Sequence, residues 1–191
     1  SSINLLLIAG LLFLLINLNI TEMYALLPTK YSGGIWVVLC ISAAKLYHMF
    51  LGANGAIISN SKQYRILLPY GVFMALSVVV LNHFLIDAMS ISGAALATFI
   101  VVYFFNSIKL YYVYRTFKLH PITNKTGYLL LLIALTFLGF YFWSFKMHPL
   151  LNIVAKSILI AVFYVGLAYL LKISSEVNKL IEGIFRLNSH D

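Results

Sequence analysis

The stretch Ile66–Ile108, ILLPYGVFMALSVVVLNHFLIDAMSISGAALATFIVVYFFNSI, carries a single Asp, Glu, Lys or Arg residue, Asp87. Divided there, it leaves two apolar runs, 66–86 and 88–108. Each is about the ~20 residues that a helix rising ~1.5 Å per residue needs to cross a hydrocarbon layer. Neither run alternates with period two, and both are about twice as long as a membrane β-strand. Backbone groups in lipid must be satisfied within their own segment, so helix is the remaining choice. Pro69 falls in the first turn of the first run, where a missing N–H costs least. The stretch therefore reads as two helices joined by a very short turn at Asp87.

Working outward, four more runs have the same character: Ile3–Ile20, Gly34–Ser59, Thr126–Phe145 and Leu150–Leu171. The second is interrupted by Lys45 and His48, the last by Lys156. The expected fold class is all-α, a polytopic membrane bundle of about six transmembrane helices. Composition agrees: 62% of residues are hydrophobic and 9% charged, against about half and a quarter in a soluble domain. Residues 1–125 form a four-helix part, 126–172 add two helices, and 173–191 are a cytoplasmic tail. In that tail Ile173, Val177, Leu180, Ile181 and Ile184 share one helical face, which suits either a helix on the membrane surface or a solvated tail.

Lys and Arg set the orientation. Lys62, Arg65, Lys109, Arg115, Lys118, Lys125, Lys172, Lys179 and Arg186 flank the spans on one side, and only Lys30 and Lys146 on the other. The richer side is cytoplasmic, which places both chain ends there. Trp36 and Trp143 then fall at the outer boundary, and Tyr111, Tyr112, Tyr114 and Tyr128 at the inner one. The net charge of +8 is thus a matter of membrane orientation; no basic face with interleaved aromatics points to nucleic acid. Cys40, the only cysteine, excludes a disulfide within the chain. The chain opens on Ser1-Ser2 with no Met, basic n-region or cleavage site, as a piece of a longer protein would.

Catalytic signatures are missing. His48, His83, His120, His148 and His190 form no metal-ligand spacing with each other, with Cys or with Glu, and no nucleophile elbow or Walker loop occurs. Glu22, Asp87 and the acids of the tail are too scattered to suggest a paired carboxylate site. The expectation is a protein that is not an enzyme, with no cofactor and no metal.

The informative span is 34–59. On a helix Ser42, Lys45, His48, Gly52, Gly55 and Ser59 fall within an arc of about 140°. A charge at mid-bilayer costs at least ~2.5–3.5 kcal/mol, so it faces a bundle interior or a wet cavity. Lys45 is too deep to snorkel with ease. It either faces a water-filled cavity and attracts a phosphate or pyrophosphate, or pairs with an acid elsewhere for packing. His48, one turn on, either shares that cavity or is hydrogen-bonded in the bundle. Gly52 and Gly55 either admit another backbone or form a hinge for gating. Lys156, near a boundary, is expected to snorkel. Asn82 and His83 either cap the hairpin or line its outer mouth. Gly93 with Ala97, and Ala94 with Thr98, are small-xxx-small pairs that draw the two arms of the hairpin together.

Asn82 with Phe84-Leu85-Ile86, followed by Ile91-Ser92-Gly93-Ala94-Ala95-Leu96-Ala97-Thr98, resembles the N-x-x-L-I … G-A-A-L-A-T signature of bacterial polysaccharide flippases in the multidrug/oligosaccharidyl-lipid/polysaccharide exporter superfamily. Gly52-Ala53-Asn54-Gly55 and Ser61-Lys62 resemble the segment before it. The likeness runs from Ile3 to about Lys125; the last two spans match in number and hydropathy alone. It implies the last six helices of a fourteen-helix member, completed by an N-terminal lobe, in the bacterial cytoplasmic (inner) membrane. It further implies alternating access that flips an undecaprenyl-pyrophosphate-linked oligosaccharide, an O-antigen or capsule repeat unit. The partners would be that polyprenyl-pyrophosphate-linked glycan and membrane lipid. Cavity cations in such proteins attract the pyrophosphate, and Lys45, with His48 and Ser42, is placed to do so; Asn82, Asp87, Gly93 and Ala97 would shape the hairpin. The alternatives are a flippase for the peptidoglycan lipid precursor, a cation-coupled drug exporter of the same superfamily, a membrane glycosyltransferase or ligase, and a structural membrane subunit with no substrate. A cation exporter would want a carboxylate in its cavity, and an enzyme would want catalytic loops.

Overall fold

The computed structural model describes residues 2–28, 34–52, 54–118, 123–143, 148–174 and 176–179. It is all-α: among the described residues there is no strand. The helices are α1 (Ser2–Leu18), α2 (Ile20–Ala25), α3 (Ile35–Phe50), α4 (Asn54–Ser59), α5 (Leu67–Phe117), α6 (Asn124–Tyr141) and α7 (Pro149–Leu170), with a 3-10 turn at Tyr64–Ile66. Three of them, α5, α6 and α7, are long and apolar enough to cross a membrane; α1 and α3 are apolar but shorter.

The core is apolar, with Leu6, Leu14, Val101, Val113, Leu129 and Ile160 buried, but the exterior is apolar as well and several polar side chains lie inside. Lys156 is 3% exposed and Asn17, Asn19, Asn54, Asn106 and Asn152 are buried, while Leu68, Ile91, Leu170 and Phe142 stand outward, Phe142 at 86%. Large apolar side chains spread over a whole surface require an apolar surrounding, and polar ones turned inward require partners within the chain.

The chain forms two compact units. In the first, α1, α6 and α7 pack together. Gly10 sits where an added Cβ would lie 2.5 Å from the Tyr164 hydroxyl and 2.6 Å from Ile133 Cδ1, so α6 and α7 close directly on α1. The Tyr164 hydroxyl donates to Leu7 O at 3.2 Å, and the Phe13 and Phe137 rings lie 6.0 Å apart. Pro149 begins α7 at the position where its lost donor has no helical partner. At the other end Lys172 is left-handed (φ 49°) and Ile173 N–H returns to Ala168 O at 3.2 Å, a Schellman closure with Ile173 buried against it. At the start of α6 the Thr123 N–H donates to Thr126 Oγ1 at 3.2 Å.

The second unit holds α3, α4 and α5. Helix α5 is interrupted at Ser90, which has φ 54° and ψ −133°. Its arms, 67–89 and 91–117, fold back on each other: Tyr70 stacks edge-on against Phe105 at 5.3 Å and its hydroxyl donates to Phe105 O. Near the tip, a Cβ on Gly93 would lie 1.9 Å from Leu85 O, so only hydrogen fits there. The hairpin turns at Ser90, not at Asp87, which remains inside the first arm and exposed. Asn82 lies eight positions before the break and caps nothing; its Oδ1 is buried without a hydrogen bond. Helix α3 packs on α5 through Tyr47, whose hydroxyl is 2.7 Å from Ser107 Oγ and whose ring is 4.6 Å from that of Tyr103.

The run Gly34–Ser59 is two helices rather than one. Gly52 is left-handed (φ 57°), a conformation that suits a residue without Cβ, and it separates α3 from α4. Gly52, Gly55 and Ser59 therefore leave the stripe that Lys45 and His48 belong to. The expected first span, Ile3–Ile20, likewise ends early, at Leu18, and a short separate helix, α2, begins at Ile20. The surface helix expected over 173–188 lies largely outside the described residues, as do Lys30 and Lys146.

A candidate anion cavity and a buried ion pair

Within the second unit a cavity of about 260 Å³ opens between α3 and both arms of α5. Ile41, Ala44, Lys45 and His48 line it from α3, Met74 from the first arm, and Thr98, Val102, Asn106 and Lys109 from the second. The i, i+3, i+4 and i+7 spacing of the α3 residues puts them on one face. Thr98 and Asn106 bond back to their own helix, to Ala94 O at 2.9 Å and Val102 O at 2.8 Å. Ser42 does not line the cavity; its hydroxyl donates to Leu39 O at 3.0 Å.

Lys109 was legible only as a loop cation. It is instead in the second arm of α5, its Nζ 5.0 Å from the Tyr70 ring centroid, and it lines the same cavity as Lys45. A cation over an aromatic face gains roughly 0.5–2 kcal/mol, short of the ~2.5–3.5 kcal/mol that an apolar setting charges an ammonium. Among the described residues no carboxylate lies within ion-pair distance of Lys45 or Lys109, and none lines the cavity. The space is of headgroup size, smaller than the ~300–1,000 Å³ of a drug pocket. Two ammonium groups and an imidazole around it favour a small anion, with hydroxyl and amide groups beside them.

Of the other expected site residues, Gly93 and Ala97 are buried in the second arm of α5, Gly93 against Leu85, while Asn82 and Asp87 lie on the first arm apart from the cavity.

The first unit contains a polar cluster of a different kind. Lys156 does not snorkel. Its Nζ donates to Leu18 O at 2.6 Å and lies 3.9 Å from Glu22 Oε1. Asn152 Nδ2 donates to that same oxygen at 3.0 Å, and Asn19 Nδ2 reaches Ser157 Oγ at 3.1 Å and Leu15 O at 2.8 Å. Glu22, too far along the chain from the other acids to pair with them, is thus the counter-ion of Lys156. Among the described residues no group of three or more His, Cys, Asp and Glu side chains could hold a metal. Compared with protein-family models, curated proteins and solved structures, the chain gives no significant match to any of them.

Proposed function

We propose that this chain is part of a membrane transporter that moves a phosphate-bearing, lipid-linked glycan across the bacterial cytoplasmic membrane by alternating access. In this reading α1, α3, the two arms of α5, α6 and α7 are six spans, and both ends face the cytoplasm. The positive-inside bias supports that orientation even with Lys109 removed from the loop count, because Lys62, Arg65, Arg115, Lys118, Lys125, Lys172, Lys179 and Arg186 still outnumber Lys30 and Lys146.

One observation carries the proposal: Lys45, His48 and Lys109 converge on one cavity without a carboxylate among the described lining residues. An anionic headgroup would be drawn into that space while its lipid tail stayed in the bilayer. The pyrophosphate of an undecaprenyl-linked repeat unit meets the requirement, as the resemblance of the 82–98 hairpin implies. A carrier of cationic drugs would find repulsion there instead.

The test replaces Lys45 and Lys109 by Met, singly and together, in the full-length protein, with membrane insertion checked, and measures surface polysaccharide. Export falls at least about tenfold in each single variant, the equivalent of ~1.4 kcal/mol of lost headgroup stabilisation. Normal export by the inserted double variant overturns the reading.

A further inference from the structure

Where the chain passes from α4 into α5, a short turn gathers cations that no acid answers. The turn is fixed by its own hydrogen bonds. Ser61 Oγ donates to Ile58 O at 2.7 Å and accepts from Gln63 N–H at 3.1 Å, and Tyr64 N–H closes on Ser61 O at 3.3 Å. It is also fastened to the last turns of α5, because the Tyr112 hydroxyl donates to Gln63 Oε1. Lys62 and Arg65 flank Gln63 in sequence, and Arg115 lies one turn beyond Tyr112 on the same helix face, so the three are brought to one corner. All three are exposed, and among the described residues none has a carboxylate within ion-pair distance. In the sequence from Tyr24 to Pro121, which holds this unit, the only acid is Asp87. At ~1.5 Å of rise per residue it stands about 30 Å along the first arm from the turn.

Beside these cations the surface is apolar and aromatic. Tyr64, Ile66, Leu68 and Tyr111 stand outward, and Arg65 Cζ lies 6.0 Å from the Tyr64 ring centroid. We propose that this corner binds an anionic phospholipid, its phosphate among Lys62, Arg65 and Arg115 and its acyl chains along Leu68 and the exposed side of the first arm. Each half of such a ligand meets its complement. Two guanidinium groups offer forked donors to phosphate oxygens, and tyrosine is the amphipathic side chain that sits at headgroup depth. Basic residues beside a membrane helix draw anionic lipid by charge. A zwitterionic lipid carries its own ammonium into a place that already holds three cations, and is the poorer ligand. None of the three cations lines the cavity of Lys45, so the inference stands apart from the headgroup cavity and does not require it.

The experiment titrates phosphatidylglycerol or phosphatidylethanolamine into the purified full-length protein in detergent and measures bound lipid by native mass spectrometry. The wild type binds phosphatidylglycerol at least about tenfold more tightly than phosphatidylethanolamine. Lys62→Gln, Arg65→Gln and Arg115→Gln together weaken phosphatidylglycerol binding at least about tenfold. Lys125→Gln, Lys172→Gln and Lys179→Gln, which remove the same charge from the other unit, change it less than about twofold. Tyr112→Phe keeps every charge but unfastens the turn, and weakens binding at least about threefold. Soluble glycerol 3-phosphate at millimolar concentration leaves the lipid bound, since it has no chains to place on the apolar surface. Equal losses in the two triple variants, or equal uptake of the two lipids by the wild type, overturn the proposal. Displacement by glycerol 3-phosphate assigns the corner to a soluble phosphate and overturns the lipid. If the Lys62, Arg65 and Arg115 variant cannot be purified in folded form, Tyr112→Phe and Arg115→Gln alone are compared with wild type: weaker binding in both supports the site, and unchanged binding in either counts against it.

Discussion

Replacing Gly93 by Ala tests the hairpin at its tightest point. The added Cβ would lie 1.9 Å from Leu85 O and 2.4 Å from Leu85 C, where ordinary contact starts near 3.4 Å. Relief requires the arms of α5 to part by 3.4 − 1.9, about 1.5 Å at that level. No rotamer can supply that movement, since the obstruction is backbone. Overpacking costs ~1–3 kcal/mol, and a backbone obstruction belongs at the upper end, so the loss is about 2–3 kcal/mol. Gly139→Ala is the control: nothing lies within 4 Å of its Cβ, and the better helix former there is worth roughly 0.5–1 kcal/mol in the opposite direction. Denaturant-induced unfolding in mixed micelles, followed by tryptophan fluorescence and by circular dichroism, reads both variants. Were Gly93→Ala to unfold in step with Gly139→Ala, the close approach of the two arms would be refuted.

Ser90→Gly removes a side chain from φ 54°, ψ −133°, a conformation costing a residue with Cβ about 1–3 kcal/mol, so the variant melts at a higher temperature with the same helix content. Asn152→Leu deprives Glu22 Oε1 of its 3.0 Å donor and costs about 1–3 kcal/mol in the same unfolding assay, a loss that Asn152→Gln recovers only in part.

Helix existence was legible from the length of the apolar runs, and the ends of α6 and α7 fall within a few residues of those expected, because the apolar runs themselves begin and stop there. The interior breaks were not legible. Gly52 sits in an apolar run where a glycine is as compatible with a continuing helix as with a left-handed turn, so α3 and α4 read as one span. Ser90 has no turn chemistry of its own, and the charge on Asp87 drew the turn three residues too early. The cavity was half legible: the α3 stripe presents Lys45 and His48, but Lys109 lies where a span-end cation and a cavity cation look alike. The Glu22–Lys156 pair joins residues at opposite ends of the chain, and no local pattern registers such a contact.

If Lys45 looks into a hydrated, electropositive space, a thiol in its place is open to water-soluble reagents. Lys45→Cys in a Cys40→Ser background of the full-length protein is treated with membrane-impermeant methanethiosulfonates of either charge. Modification is expected in membranes, faster with the anionic reagent than with the cationic one because Lys109 shares the space, and slowed by pyrophosphate. Reaction only with lipid-soluble maleimides, with neither a charge preference nor protection, would contradict it.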